Sequence, residues 1–188
     1  MRGRIAILVV VSLASTSCGY YYRTVVQPPT PVAAVATAPA IFFYPPSFAL
    51  LARPEAYTDD ASWQSDVASI QAEWLEQVPA YANDEGVASR VFTLPANMPV
   101  PAGAIGVQIT LMSMRDEHNV VYLMSDLRFV DSNGAVLFKS GVEATSKING
   151  PMSWRGMSID GRIALATWNL ITVAMKVIKT GRIEPSED

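Results

Sequence analysis

Residues 106–145, GVQITLMSMRDEHNVVYLMSDLRFVDSNGAVLFKSGVEAT, decide the fold, because apolar and polar side chains alternate along them. A period of two is typical of strands that bury one face. Two polar turns interrupt the pattern, at residues 116–119 and at Asp131-Ser132-Asn133-Gly134, and an Asn-Gly pair accepts the positive φ angles of a tight hairpin. The stretch therefore predicts a meander of three antiparallel strands, of which the third begins at Val136 and ends near Thr145.

One helix is predicted before this meander in the chain and another after it. The first begins at Asp59-Asp60, whose charge suits the positive end of a helix dipole, and should end at Pro79. Its apolar stripe recurs every three or four residues, at Trp63, Val67, Ile70, Trp74 and Val78. The second helix is capped by Ser158, runs to about Lys179 and stops at Gly181. It is apolar around most of its circumference, so we expect it to be deeply buried.

The order of the elements predicts an α+β fold. Residues 87–94 read as a further strand before the meander, and residues 41–44 read as a first strand or as a clamp packed on the domain. The expected architecture is a mostly antiparallel sheet with a C-terminal three-stranded meander and two helices packed on one face.

The chain divides into three parts by composition. Residues 20–56 hold seven of the 13 prolines and an Ala/Val-rich run, which favours an extended, semi-rigid segment. We therefore expect a signal peptide over residues 1–17, a tether over 18–56 and a single domain over 57–188. Within the tether, residues 20–40 are expected to reach about 60 Å in extended form, and residues 41–44 to pack on the domain.

The charge and the scarcity of reactive residues exclude several classes of function. Fourteen basic against 17 acidic side chains give a net charge of −3, so nucleic acid is not an expected partner. One cysteine and one histidine provide neither a disulfide framework nor a complete Cys/His metal site, and we expect no cofactor.

Catalytic motifs are weak. Residues 156–161 miss the Gly-x-Ser-x-Gly nucleophile pattern by one position, and a triad could use only His118 with a carboxylate such as Asp126. Asp116, Glu117 and His118 could supply ligands to a metal, but a solvated turn explains them better. We expect no catalytic residues, no metal site and a protein that is not an enzyme.

The N-terminus has the three parts of a secretory signal peptide. Met1-Arg2-Gly3-Arg4 is basic, residues 5–11 are apolar, and small residues follow up to Cys18. The apolar stretch is too short for a stable span, which needs about 20 residues.

The segment Leu13-Ala14-Ser15-Thr16-Ser17-Cys18 resembles the lipobox of bacterial lipoproteins. The resemblance implies that Cys18 receives a diacylglycerol thioether and becomes the acylated first residue. Gly19 stands where Asp signals retention in the inner membrane, so the resemblance also implies anchoring in the outer membrane, with the domain in the periplasm or at the surface. The alternative is an ordinary secretory signal with a chance cysteine.

The domain itself is similar, in element order and size, to the small α+β domains of outer-membrane lipoproteins. These include the auxiliary lipoproteins of ABC-type lipid transporters and those that assist lipopolysaccharide export. This likeness is one of fold and rests on no signature motif.

Two surfaces are candidates for binding. Met112, Met114, Tyr122 and Met124 share the parity opposite to the core residues, and methionine suits adaptable contacts with a lipid or a protein. The loop containing Met152, Trp154, Arg155 and Met157 combines residue types common in interface anchors. In the alternative interpretation, other parts of the chain cover the methionines and the loop folds back on the core.

Two functional hypotheses follow. The first is a non-enzymatic outer-membrane lipoprotein that is held by its acyl anchor and binds another envelope protein in a transport, secretion or surface assembly. The alternative is a lipoprotein that binds a lipid or acyl chain on the methionine-rich face during envelope lipid trafficking.

Overall fold

A computed structural model describes residues 20–26, 32–148 and 157–183. Its elements are, in chain order, β1 (Tyr20–Val26), the one-turn helix α1 (Ala33–Ala36), β2 (Ile41–Phe43), α2 (Asp60–Asp84), a 3₁₀ turn (Ala88–Arg90), β3 (Val91–Thr93), β4 (Ile105–Glu117), β5 (Val120–Asp131), β6 (Val136–Ile148) and α3 (Ile159–Thr180).

The six strands form one sheet in the order β1-β6-β5-β4-β2-β3. The meander β4-β5-β6 is antiparallel, as the alternation predicted, and β1 adds to β6 in the same sense. The other end of the sheet departs from this pattern, since β2 runs parallel to both of its neighbours, β4 and β3. The α+β prediction is confirmed, with a sheet that is mixed at one end.

The core lies between the helices and one face of the sheet. The predicted stripe of α2 is buried, from Trp63 to Val78, and joins the same apolar cluster as the inward residues of β4, β5 and β6. Helix α3 lies along β5 and β6 and buries residues around most of its circumference. The two helices meet where the rings of Tyr81 and Trp168 pack edge to face at 5.7 Å.

Pro79 does not end α2, so the predicted boundary is wrong. The helix continues to Asp84 with Pro79 on its exposed side. Proline removes one backbone hydrogen bond and crowds the preceding turn. Burial of Ala82 and packing of Tyr81 hold the last turn in helical form despite that cost.

The predicted strand over residues 87–94 is shorter than expected. Its first half is the 3₁₀ turn, and only Val91–Thr93 pairs with β2. Arg90 turns toward α1, where its Nη1 donates to the carbonyl oxygens of Ala36 and Ala38, both at 2.9 Å. These bonds fasten the turn to the N-terminal part of the fold.

Much of the predicted tether belongs to the fold. Strand β1 occupies the edge of the sheet beside β6, and the side chains of Val35, Ile41 and Phe43 are fully buried. The backbone N–H of Val32 donates to the carbonyl of Gly181 at 2.8 Å, which joins the chain before α1 to the end of α3. The core therefore includes residues well before position 57, and residues 20–26 and 32–56 are part of the fold rather than a free tether.

Helix α3 is long and apolar enough to cross a membrane by length and composition, the one such helix among the residues that the structure describes. Within its most apolar stretch, 67% of the residues are buried in the fold. This burial is that of a helix at the centre of a core.

Candidate functional site

The meander has one face that the helices do not cover, here called the outer face. Tyr122, Met124, Asp126 and Arg128 of β5 project to it, because the residues between them point into the core. Their partners across the strands include Lys139 and Glu143 of β6 and Arg115 of β4. The side chains of these residues on β4, β5 and β6 are half-buried or exposed.

A β-bulge in β4 divides the predicted methionine set. The register with β5 shifts between Leu111 and Ser113, so Met112 is the extra residue and 45% of it is exposed. Beyond the bulge Met114 is paired with the buried Leu123 and packs against the core. The structure therefore brings Met112, Tyr122 and Met124 to the outer face and places Met114 on the opposite side.

Met112 and Met124 line an open groove of about 560 Å³ on the outer face, here called the methionine groove. Gly141 contributes no side chain to it, and Asp126 and Lys139 stand at its border. Ser125 and Ser140 complete the lining. The result is a shallow, largely apolar depression with charges on one side.

Ion pairs border the groove. Arg115 bonds to Glu143 at 2.8 Å and to Glu117 at 3.0 Å, and its guanidinium lies 4.8 Å from the ring centre of Tyr122. The hydrogen bond to Glu143 raises the pKa of Arg115 above its already high value, so the group keeps its charge. Exposed pairs of this kind contribute little to stability, but they fix where the charges lie.

On the other side of the groove, the ion pairs are made by Asp126. Its Oδ2 accepts from Nε of Arg128 at 2.8 Å and lies 3.6 Å from Nζ of Lys139. The carboxylate that a triad with His118 would need is thus engaged by two cations.

A second hollow, of about 590 Å³, lies between the loop before α2 and β4. Leu50, which is 60% exposed, Met112 and Ile159 contribute apolar surface to it. Arg53 also lines it, but its Nε pairs with Asp60 at 2.7 Å and its Nη1 donates to the carbonyl of Tyr57. Met112 borders this hollow and the methionine groove, which makes the apolar surface continuous.

Several predicted residues lie outside the described part of the chain. These are Cys18 and three of the loop residues, Met152, Trp154 and Arg155. The fourth, Met157, is half-buried just before α3, with its carbonyl oxygen 3.4 Å from Nη1 of Arg162.

The residues considered for catalysis do not assemble. His118 is exposed in the β4–β5 turn with φ of 53°, while Asp116 pairs with Arg162 at 2.6 Å. Ser158 occupies the predicted N-cap position of α3, although its side chain makes no capping hydrogen bond. Over residues 20–26, 32–148 and 157–183, no three His, Cys, Asp or Glu side chains are grouped to hold a metal.

Sequence reasoning missed the bulge and the pair between Arg162 and Asp116. The first has a faint signal, since Leu111 and Met114 are three residues apart where alternation requires an even spacing. The second joins residues 46 positions apart, and no local pattern reports such a contact.

No protein-family model matches the chain, and no curated protein does. Among solved structures, the chain is similar to a PelC dodecamer from Paraburkholderia phytofirmans, with 14% identity, a TM-score of 0.42 and coverage of 87% of this chain and 98% of the other. A single-residue variant of that PelC aligns with 13% identity, a TM-score of 0.38 and coverage of 85% and 94%. At this distance the likeness leaves the function to be argued from the residues of this chain.

Proposed function

We propose that this chain is a non-enzymatic outer-membrane lipoprotein that binds another envelope protein through the outer face of its sheet. The observation that carries the proposal is the methionine groove with ordered ion pairs at its border. The signal peptide and the lipobox-like segment before Cys18 support the cellular location.

The composition of the outer face suits a protein partner. Protein interfaces combine an apolar centre with a polar, charged rim, and methionine and arginine are enriched in them. Here Met112 and Met124 supply the apolar centre, and Asp126 and Lys139 supply charges of both signs at its border. The pair of Arg115 with Glu143, which lies opposite Met124 in the sheet, adds further charges beside it. A partner would thus meet both apolar contacts and fixed charges, which favour a specific orientation.

The openness of the groove argues against a lipid as the main ligand. Ligand sites that hold small apolar molecules bury most of the ligand surface. The methionine groove is a depression on a sheet, and an acyl chain lying in it would remain partly in water. A protein partner can cover the groove completely.

Site-specific crosslinking in native membranes tests the proposal. A photoreactive amino acid replaces Met124 in the groove, and a matched variant carries it at Gln64 on the exposed side of α2. We expect a discrete crosslinked protein from position 124 and none from position 64. No crosslinked protein from position 124, or the same products from both positions, would reject the outer face as the binding surface.

One observation favours the lipid hypothesis: the exposed Met112 and the half-buried Met124 line the same groove. Native mass spectrometry of a Cys18→Ser form purified without detergent distinguishes the two functions. Bound lipid that disappears in Met124→Lys would favour lipid binding. A lipid-free spectrum of the parent form would favour the protein partner.

A further inference from the structure

The position of β1 limits how the domain can sit on a membrane. Tyr20 begins the strand, and it is paired with Ile148 at the end of β6. Cys18, which is acylated in the function proposed above, precedes Tyr20 by two positions. Two steps along a chain span at most about 7 Å, so the lipid would attach almost directly to the edge of the sheet.

The sheet register shows which end of the domain this is. Ser146, two residues before Ile148, accepts a hydrogen bond from the backbone N–H of Val121 at 2.9 Å. Tyr20 therefore lies level with the β4–β5 turn at residues 117–120, two strands away. Neighbouring strands are about 4.8 Å apart, which puts the start of β1 about 10 Å from that turn.

The first turn of α3 lies at the same end. Arg162 pairs with Asp116 at 2.6 Å and lies 3.4 Å from Oδ1 of Asn119. The opposite end carries the β5–β6 turn at residues 131–135 and the junction of Gly181 with Val32. Here the hairpin end means the turn 117–120 together with the start of β1 and the first turn of α3.

We infer that the hairpin end rests against the lipid headgroups of the membrane, with the strands rising away from it. This inference rests on the proposed acylation of Cys18. The short covalent link sets the orientation, because a domain joined by two residues cannot turn its far end toward the bilayer.

The chemistry of the hairpin end fits the headgroup layer rather than the hydrocarbon. Glu117, His118 and Asn119 are exposed at its tip, and charged or polar side chains are costly in the bilayer core. The end therefore contacts the polar surface without inserting. The outer face then stands roughly perpendicular to the membrane and stays open to a partner.

Fluorescence quenching on vesicles tests the orientation. The full chain holds one cysteine, which acylation blocks, so an introduced cysteine is the single site for a fluorescent label. His118→Cys places the label in the β4–β5 turn, and Asn133→Cys places it in the β5–β6 turn as the matched control. The two turns are separated by the length of β5, about 35 Å.

The acylated variants are reconstituted into phosphatidylethanolamine vesicles with or without nitroxide-labelled headgroups. We expect quenching at position 118 to exceed that at position 133 by roughly twofold or more, because quenching acts only near the headgroups. Equal quenching at both positions, or stronger quenching at 133, overturns the inferred orientation while leaving acylation intact. Failure of the intact chain to bind vesicles overturns acylation and, with it, the orientation.

A longer segment between Cys18 and β1 tests whether the short link sets the orientation of the domain. Twenty Gly/Ser residues inserted after Gly19 add a flexible segment of about 25 Å. Quenching at position 118 should then fall toward the level at 133. Unchanged quenching would show that the short link does not set the orientation.

Discussion

At the residue scale, Arg162 is the most deeply buried charged residue among those that the structure describes. It is 8% exposed, and its Nη2 meets the carboxylate of Asp116 at 2.6 Å. A buried guanidinium without its partner is strongly destabilising, because the charge has left water without compensation.

Replacing Asp116 by alanine should therefore lower the free energy of unfolding by about 2 kcal/mol, the scale of a charged hydrogen bond that water can partly replace. Urea denaturation at pH 7 measures the change. Glu117→Ala is the control, since it removes only an exposed pair with Arg115 and should change the free energy of unfolding much less. Equal losses in the two variants would show that the buried pair is not special.

Gly181 carries a second residue-level constraint. Its φ is +71°, and a Cβ there would lie 2.8 Å from the carbonyl oxygen of Val32. Gly181→Ala should destabilise the fold by about 2 to 3 kcal/mol, from backbone strain and displacement of the Val32 segment. Gly134→Ala is the matched control, because φ is +82° but nothing lies within 4 Å, so only the strain of about 1 kcal/mol remains. Thermal unfolding that ranks the variants the other way would contradict the close approach.

Asp59 makes the stability of α2 depend on pH. Its carboxylate accepts from the backbone N–H of Ser62 at 2.7 Å and from the Ser62 hydroxyl, and these bonds lower the pKa of Asp59. A depressed pKa means that the stabilisation is fully present above the unfolded pKa near 3.8 and is lost as the pH falls through the lower folded value.

Asp59→Asn keeps an acceptor at the N-cap without a titrating charge. We expect the melting temperature of this variant to fall less between pH 6 and pH 2.5 than that of the parent protein. Scanning calorimetry at the two pH values gives the comparison, and identical drops would mean that Asp59 does not contribute to acid sensitivity.

At the element scale, the features predicted correctly are those whose signal lies within a few residues of sequence. The meander, the apolar stripe of α2 and the deep burial of α3 depend on side chains a few residues apart, and all three are found. The predicted lengths of α2 and β3 are wrong, because the packing of Tyr81 and the bonds of Arg90 to α1 involve distant parts of the chain.

The methionines of the outer face show why the candidate site was only partly predictable. A parity argument counts residues along a strand, so one extra residue moves every later side chain to the other face. The bulge at Met112 therefore separates Met114 from Met124. The participation of Tyr20–Val26 in the sheet has a similar cause, since edge pairing with β6 joins residues more than 100 positions apart.

Pro79 offers a test of how packing outweighs propensity in α2. Pro79→Ala should restore the missing backbone hydrogen bond and stabilise the protein by about 1 to 2 kcal/mol, since the site is exposed and no core contact is lost. Pro95→Ala is the control in a loop, where loss of proline rigidity should cost up to about 1 kcal/mol. Urea denaturation should thus show opposite signs, and destabilisation by Pro79→Ala would mean that the proline itself supports the helix end.

At the scale of the whole molecule, the two ends and two faces of the sheet have different surroundings. The helices cover one face, and the outer face carries the methionine groove. With Cys18 acylated, the hairpin end lies at the membrane and the outer face is turned sideways. A partner could then bind parallel to the membrane surface without displacing the anchor.

Metabolic labelling with an alkyne fatty acid tests the central claim most directly, because only a thiol at position 18 can form the thioether on which the location depends. We expect label on the wild-type protein, which should sediment with outer membranes, and none on Cys18→Ser. The strand β1 begins after this position, so the variant should fold as before. Equal label on the two proteins, or none on the wild type, would contradict the account of a lipid-anchored envelope protein.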